Sequence, residues 1–445
     1  MLSPDILHGY QKRVIKMSET VPHMGLFMDM GLGKTVTALT IISQLNGKTL
    51  IIGPKAVVKQ VWQKEANNWK HTCRLKFALM VGTPAERLKA LNSNSDVYLI
   101  NVENVPWLFD QKNLPRWENL IVDESSRFKS PSAKRWKSLK SELKNFAHRY
   151  ILTGTPTPKS YLDLWCQVGI LDLGQRLGKS MTGYKDKFFL PDARDRRTGV
   201  VWSWKLRPGA QQEIDALLAD ICVSLKAEDY LTMPQRQDIV HNITWDKHGK
   251  SIYDTMRKET VVQIGDQTLT AVSAGVLTGK LLQITAGEIY DEDKGIVEVH
   301  EEKMDYLIDM VDETPTIVFY NFKHSLRGLQ EAFPNAVVMD PDDMGMLGRW
   351  NRGEINMLLC HPKSAGIGLN MQCNVGDTAQ IVWFDLPWSS EDYLQANARL
   401  FRQGQTKPVI IHHLCMEKSI DNQVLDVLQG KIDLQNALME ALKLK

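Results

Sequence analysis

The sequence predicts an α/β protein of two tandem lobes, each built on a parallel sheet, with a mostly helical insertion between them. Three observations carry that expectation. Short runs of Val, Ile and Leu recur as continuous apolar stretches, which suits strands buried on both faces. Longer segments with apolar residues at helical spacing, such as TVTALTIISQL (35–45), separate them. The alternation occurs twice with one interruption, so the 445 residues divide into two lobes rather than one long sheet.

In the first lobe (1–172) strands are expected at GLFMDM (25–30), TLIIGP (49–54), VYLINVE (97–103), NLIVDE (119–124) and RYILTGT (149–155). In the second (301–445) they are expected at TIVFYN (316–321), AVVMD (336–340), NMLLCH (356–361), AQIVWFD (379–385) and PVIIHHLC (408–415). Residues 173–300 break the rhythm. Between 174 and 210, nine Lys/Arg stand against three Asp, with Tyr184, Phe188, Phe189, Trp202 and Trp204 interleaved. This is either a nucleic-acid surface of cations and stacking aromatics, with Arg194, Arg196 and Arg197 among its cations, or an insertion whose aromatics pack on the first lobe. Residues 211–225 and 249–264 read as helices, and Pro234 makes the stretch between them an extended crossover.

Composition bounds the function classes. With 54 Lys+Arg against 52 Asp+Glu the chain is no bulk polycation, although a local basic groove stays open. Hydrophobic residues at 43% and charged residues at 24% exclude disordered, collagen-like and coiled-coil chains. Six cysteines without a CxxC pair argue against a zinc site or disulfide framework and for a reducing compartment. MLSPDILHGYQKR lacks the core of a signal peptide, and no apolar run reaches the roughly 18 residues of a membrane span. A cytoplasmic protein with no membrane role is expected.

The chemistry gathers where strands end. MDMGLGKT (28–35) follows an apolar run and precedes a helical pattern. Gly31 and Gly33, on either side of Leu32, let the backbone curl so that its N–H groups face phosphate oxygens, and the helix N-terminus adds positive potential. Lys34 would reach the terminal phosphates and Thr35 would offer a hydroxyl to Mg²⁺. Met28 stands where the strict phosphate-loop pattern asks for Gly, so a chance Gly-rich turn is the alternative for this motif alone. LIVDESS (120–126) ends a strand in Asp123, suited to a metal shell, and Glu124, suited to orienting or activating water. A plain helix cap would look the same. LTGTPTP (152–158) sets the Thr153 and Thr155 hydroxyls at a strand end that Pro156 and Pro158 stop, and turn chemistry alone explains the prolines. In QANARLFRQGQ (395–405), Arg399 and Arg402 are three apart and would share a helix face. Such arginines can stabilise charge on a transferred γ-phosphoryl, an effect worth ~10³–10⁵ in rate. A salt-bridged surface pair is the alternative; the second lobe's lack of a phosphate loop favours the catalytic reading.

Taken in order, these motifs resemble the Swi/Snf-related branch of the superfamily-two helicases. LHGYQ (7–11) is similar to its adenine-reading motif, which directs Gln11 to the base edge. The outer glycine missing at Met28 is usually missing in that family too. PKAVVKQVWQKEANNW (54–69) resembles the adjoining motif, with Lys55 near the nucleic-acid backbone, and DESS takes the place of a DEAH-like box, Ser126 departing from the common His. TIVFYNFKHSL (316–326), SAGIGLN (364–370) and QANARLFRQGQ complete the set. The resemblance implies two RecA-like lobes that sandwich ATP, held by Gln11, Gly31, Leu32, Gly33, Lys34, Thr35, Gly368 and Gln395, with Mg²⁺ on Thr35 and Asp123. Lys34, Asp123, Glu124, Arg399 and Arg402 would carry the hydrolysis; Lys55, Thr153, Ser364 and the three insertion arginines would face nucleic acid. It further implies a monomeric ATPase that translocates on DNA, duplex favoured. A strand-separating DNA or RNA helicase and an ATP-gated nucleic-acid clamp remain alternatives. The economy of the chain suits a bacterial or phage protein.

Overall fold

The computed structural model describes residues 1–157, 160–194, 201–265, 279–291, 295–340, 343–365, 371–373, 375–428 and 430. Aliphatic and β-branched runs form strands at every place where the sequence predicts one. In the first lobe these are β1 (His23–Met28), β2 (Thr49–Gly53), β4 (Val97–Asn101), β5 (Asn119–Asp123) and β6 (His148–Thr153), with β3 (Phe77–Met80) added between β2 and β4. Beyond them, β7 (Phe189–Arg194) and β8 (Val201–Leu206) form a two-stranded sheet of their own, and β9 (Cys222–Leu225) returns to the first. The seven-stranded sheet runs β3-β4-β2-β5-β6-β1-β9 with every pairing parallel. Register places Phe27 beside Thr153 and Asp123 beside Leu152. The carboxyl ends of β1, β6 and β5 are therefore level, the edge at which open parallel sheets hold ligands.

One helix over 211–225 is not what forms. The helix covers Ala210–Leu218, and Cys222–Leu225 pairs with β1 instead. An Ile-Cys-Val stretch can satisfy either period, and the vacant edge of β1 decides it. Three of the interleaved aromatics of the basic stretch follow the packing alternative, and the Trp202 side chain lies outside the described residues. Tyr184, Phe188 and Phe189 are buried in the first-lobe core, so they present no face for a base. Lys185 lies over the Trp204 ring at 5.0 Å, and Arg207 pairs with Glu213 at 2.8 Å.

The second sheet comprises β10 (Arg236–Ile243), β13 (Thr316–Phe319), β14 (Val337–Val338), β15 (Met357–Cys360), β16 (Ala379–Trp383) and β17 (Val409–Met416). A separate antiparallel pair joins β11 (Glu288–Tyr290) and β12 (Ile296–Glu298). The main order is β10-β17-β16-β13-β15-β14, again parallel throughout. Successive side chains point to opposite faces, and both faces are covered. Ile317, Phe319, Leu358, Ile381 and Trp383 pack into one apolar cluster, while Val318, Leu359 and Val382 pack into another. The chain divides into two compact units, in the main residues 1–194 with 203–231 and residues 232–432. The stretch 173–300 thus contributes helices Met181–Phe188, Ala210–Leu218 and Lys247–Gly265, together with an edge strand for each large sheet.

One buried cation fixes the helix behind β6. Arg149 donates from Nε and Nη2 to the Leu171 carbonyl (3.1 and 2.7 Å) and from Nη1 to Leu143 (2.9 Å) and Phe146 (3.1 Å). It thereby satisfies the Leu171 carbonyl near the C-terminal end of helix Leu164–Asp172, where positive charge also complements the helix dipole. All six cysteines are free, and among the described residues no helix is long and apolar enough to cross a membrane.

Imidazoles wholly or partly buried make the fold acid-sensitive. His23 opens β1 and His412 lies in β17, and each has a pKa pushed down to about 4, mainly because burial disfavours the charged ring. Arg149 adds to the effect at His23, and His241 at His412. An unfolded imidazole titrates near 6.5, so between roughly pH 6.5 and 4 the unfolded chain binds protons that the folded chain refuses. Their stabilisation is complete above this window and is lost as pH falls through it. Denaturant titrations should show unfolding free energy declining across that range by on the order of 1–3 kcal/mol per histidine, and His412→Gln should flatten its share. A level profile would contradict the assignment.

Candidate active site

The phosphate loop is shaped by two left-handed glycines. Gly31 has φ +87° and Gly33 φ +72°, values that side chains beyond glycine rarely adopt. Between them Leu32 is fully buried and anchors the loop. Lys34 and Thr35 begin the helix Lys34–Gln44, for which Gly33 is the N-cap. The loop is held at both flanks. Gln11, in helix Gly9–Ser18, donates from Nε2 to the Leu32 carbonyl (3.1 Å) and accepts from the His8 amide at Oε1 (2.9 Å). A Cβ at Gly33 would collide with that Gln11 amide. On the other flank the Asp29 carboxylate accepts the Ala227 amide at 3.0 Å, and the Asp29 amide donates to Leu225 at 3.0 Å.

Lys34 Nζ donates to the carbonyls of Met28 (2.8 Å) and Asp29 (3.4 Å). Its charge also acts on Asp123. Asp123 is 6% exposed, and burial raises its carboxyl pKa. Three features pull the other way and favour the anion: Lys34, the Trp62 indole N–H at 3.0 Å from Oδ2, and the Glu124 amide at 3.1 Å from Oδ1. Glu124 follows with φ +51° and ψ +58°, a left-handed backbone at a non-glycine residue that costs on the order of 1–3 kcal/mol. Such a conformation persists only where its surroundings hold it. Thr153 Oγ1 lies 3.5 Å from Glu124 Oε2 and accepts the Thr155 amide at 3.0 Å.

The expected residues fall into distinct groups. Gln11, Gly31, Leu32, Gly33, Lys34, Thr35, Asp123 and Glu124 all belong to the edge where β1, β6 and β5 end. Thr153 belongs there too, but it is fully buried with its hydroxyl committed to the turn, so it is a turn residue rather than a nucleic-acid contact. Lys55 is exposed at the start of helix Lys55–Gln60, after β2. In the second lobe, Ser364 lies half-buried in the short helix Pro362–Ala365, and Gln395 is buried in helix Ser390–Asn397. That helix ends at Asn397, so Arg399 and Arg402 occupy the turns that follow and share no helix face. Arg399 is buried. Arg402 is half-buried, and burial lowers its pKa below the ordinary guanidinium value. Among the described residues no hydrogen bond or ion pair holds its guanidinium. Gly368, Arg196 and Arg197 lie outside the described residues; Arg194 ends β7, and its side chain is not described.

Sequence reading missed three supporting side chains. Trp62 is fully buried, and its partner Asp123 is 61 residues away. The Asp29 carboxylate meets Ala227 across 198 residues. Neither separation leaves a local signature. Gln167 bonds the Ser125 hydroxyl at 2.8 Å, and here a signal existed: a lone amide in the apolar helix LWCQVGILD must find partners.

The first lobe suits a nucleoside triphosphate bound with a divalent ion. Among the described residues no cluster of three His, Cys, Asp or Glu could hold a metal alone. One buried carboxylate beside a hydroxyl-bearing loop is the donor set for Mg²⁺ held largely by phosphate oxygens and water. A phosphate loop, a carboxylate pair at the same sheet edge two strands away and a second parallel sheet define a helicase-like ATPase of two α/β lobes. Residues 10–286 match the SNF2-related domain, and the chain belongs to that family. It is 32% identical over 462 residues to "Putative protein p41" of Acyrthosiphon pisum secondary endosymbiont phage 1, spanning 98% of both chains. It is 24% identical to the chromatin structure-remodeling complex subunit snf21 of Schizosaccharomyces pombe and 22% identical to the "Putative ATP-dependent helicase/translocase YwqA" of Bacillus subtilis. Each of those alignments takes in 93% of this chain, which spans only 37% and 46% of the respective relative. The Sulfolobus solfataricus SWI2/SNF2 ATPase core in complex with dsDNA aligns over 98% of this chain and 93% of that one, with TM-score 0.43 and 18% identity.

Gly33→Ala tests the loop. The new methyl would force a strained φ and displace the Gln11 amide, so ATP affinity should fall and the fold should lose about 1–2 kcal/mol. Nucleotide titration and thermal melting read the two effects, and unchanged affinity would show that the loop does not carry the phosphates.

Proposed function

We propose that this protein is an ATP-driven motor that translocates on double-stranded DNA and remodels DNA or its protein complexes. The observation that carries the reading is the paired placement of Asp123 and Glu124 at the strand end adjoining the loop of Lys34, in a chain of the SNF2-related family. The relatives' names, a helicase/translocase and a chromatin-remodelling subunit, supply the nucleic-acid side of the proposal.

In this mechanism Gln11 and residues 31–35 hold the nucleotide, with Lys34 exchanging its carbonyl partners for phosphate oxygens. Thr35 and Asp123 would hold Mg²⁺, which when bound neutralises charge on the outer phosphates. Glu124 orients the attacking water and accepts its proton, from a turn whose strained left-handed backbone is held by its surroundings. Arg399 and Arg402 act on the transferred phosphoryl from the second lobe. The half-buried guanidinium of Arg402 supports that role, since a desolvated cation gains most from an anion. Lys55, Ser364 and the arginines at 194, 196 and 197 are the proposed nucleic-acid contacts, directed at phosphate rather than bases, so binding should be weakly sequence-selective and strongly salt-dependent.

Two measurements decide the reading. ATP turnover should rise with duplex DNA more than with single-stranded DNA or RNA, and the protein should displace a triplex-forming strand without separating a duplex. Release of single strands from forked duplexes would instead make it a strand-separating helicase, and turnover indifferent to nucleic acid would sink the motor. Arg402→Ala should lower kcat by roughly 10³-fold or more while leaving ATP affinity nearly unchanged. A loss confined to affinity would remove Arg402 from the hydrolytic step.

A further inference from the structure

The turn after β5 and the turn after β6 are joined by one buried amide. Gln167 is fully buried in helix Leu164–Asp172, all of whose residues are buried. Its Oε1 accepts the Ser125 hydroxyl at 2.8 Å, and its Nε2 donates to the carbonyls of Pro156 (2.7 Å) and Asp163 (2.9 Å). The orientation of this amide is chemically determined, because two carbonyls can only accept and the NH₂ group must face them. Ser125, itself fully buried, is the residue after Glu124, and Pro156 directly follows Thr155.

The helix that carries Gln167 is fixed at both ends. Arg149 of β6 holds the Leu171 carbonyl through two bonds. Ahead of it, the Ser160 hydroxyl accepts the Leu162 amide, and the Asp163 carboxylate accepts the Ser160 amide. The amide is thus presented from a rigid support. Glu124 next to its partner has a backbone that would relax if unconstrained. The bond to Ser125 restrains that turn from the side of the buried helix Leu164–Asp172.

We propose that Gln167 is a positioning residue that keeps Glu124 in its hydrolytic orientation and transmits displacement between the 123–126 turn and the 153–157 turn. The assignment rests on the ATP-hydrolysing motor described above and names a further part of that site. Gln167 meets neither phosphate nor water in this mechanism. It acts through Ser125 on one side and the Pro156 carbonyl on the other.

The test uses the full chain with Gln167→Leu, which removes all three bonds at similar volume, and Ser125→Ala, a milder change that serves if the first variant does not fold. Each single variant should lower kcat for ATP, Gln167→Leu by on the order of 10- to 100-fold. KM for ATP and the Kd of a fluorescent ATP analogue should stay within about twofold of wild type. The double variant should be no worse than Gln167→Leu alone, because both changes cut one connection. The assignment is overturned if both single variants keep wild-type kcat, if kcat and ATP affinity fall together as in a damaged lobe, or if the two effects multiply. Should duplex DNA fail to stimulate the wild-type protein, the motor reading falls, while Gln167 is still judged on the basal kcat of the same variants.

Discussion

Burial disfavours the charge of a carboxylate unless donors already await it, and Asp123 imposes that condition on the first lobe. Burial works against its charge, while the Lys34 ammonium, the Trp62 indole and the Glu124 amide work for it. Each of these demands a separate piece of architecture. Lys34 must begin its helix just beyond β1; Trp62 must come from the crossover after β2; and the chain must turn left-handed at Glu124 to bring its amide back. The parallel register of β2, β5, β6 and β1 lets all three arrive at one place.

What could be seen in the sequence was whatever leaves a mark over a few neighbouring residues. Continuous aliphatic runs marked the central strands, because strands covered on both faces have no polar positions to alternate with. Strand ends bearing Gly, Asp-Glu or Thr-Gly-Thr-Pro marked the chemistry. What could not be seen depends on distance along the chain. The indole of Trp62 and the amide of Ala227 are generic groups made specific only by folding. The aromatics of the basic stretch left two readings open for another reason: Tyr184 and Phe188 carry the same apolar area whether they stack on a base or fill a core.

The arginine segment shows how a tertiary contact overrides local periodicity. Helical spacing between Arg399 and Arg402 is real in the sequence, yet the helix stops at Asn397, whose side-chain oxygen accepts the Trp383 indole at 3.0 Å. The chain then bends through successive turns to Gln405, whose Nε2 donates to the Cys373 carbonyl at 3.3 Å. The strand that opens this lobe is equally non-local. β10 matches β17 along eight residues, from Arg236 beside Val409 to Ile243 beside Met416, so the segment leading into the second lobe is part of its sheet.

The pairing of β9 with β1 has a consequence for how the protein is born. The phosphate loop leaves the ribosome well before the strand that flanks it, because that strand and the Ala227 amide that ties Asp29 lie about 200 residues later. At roughly 5–20 residues per second of synthesis, the edge of β1 stays open for about 10–40 s on each nascent chain. During that interval one edge of β1 lacks its partner, and anything that slows translation between the loop and β9 lengthens its exposure to chaperones and to neighbouring chains.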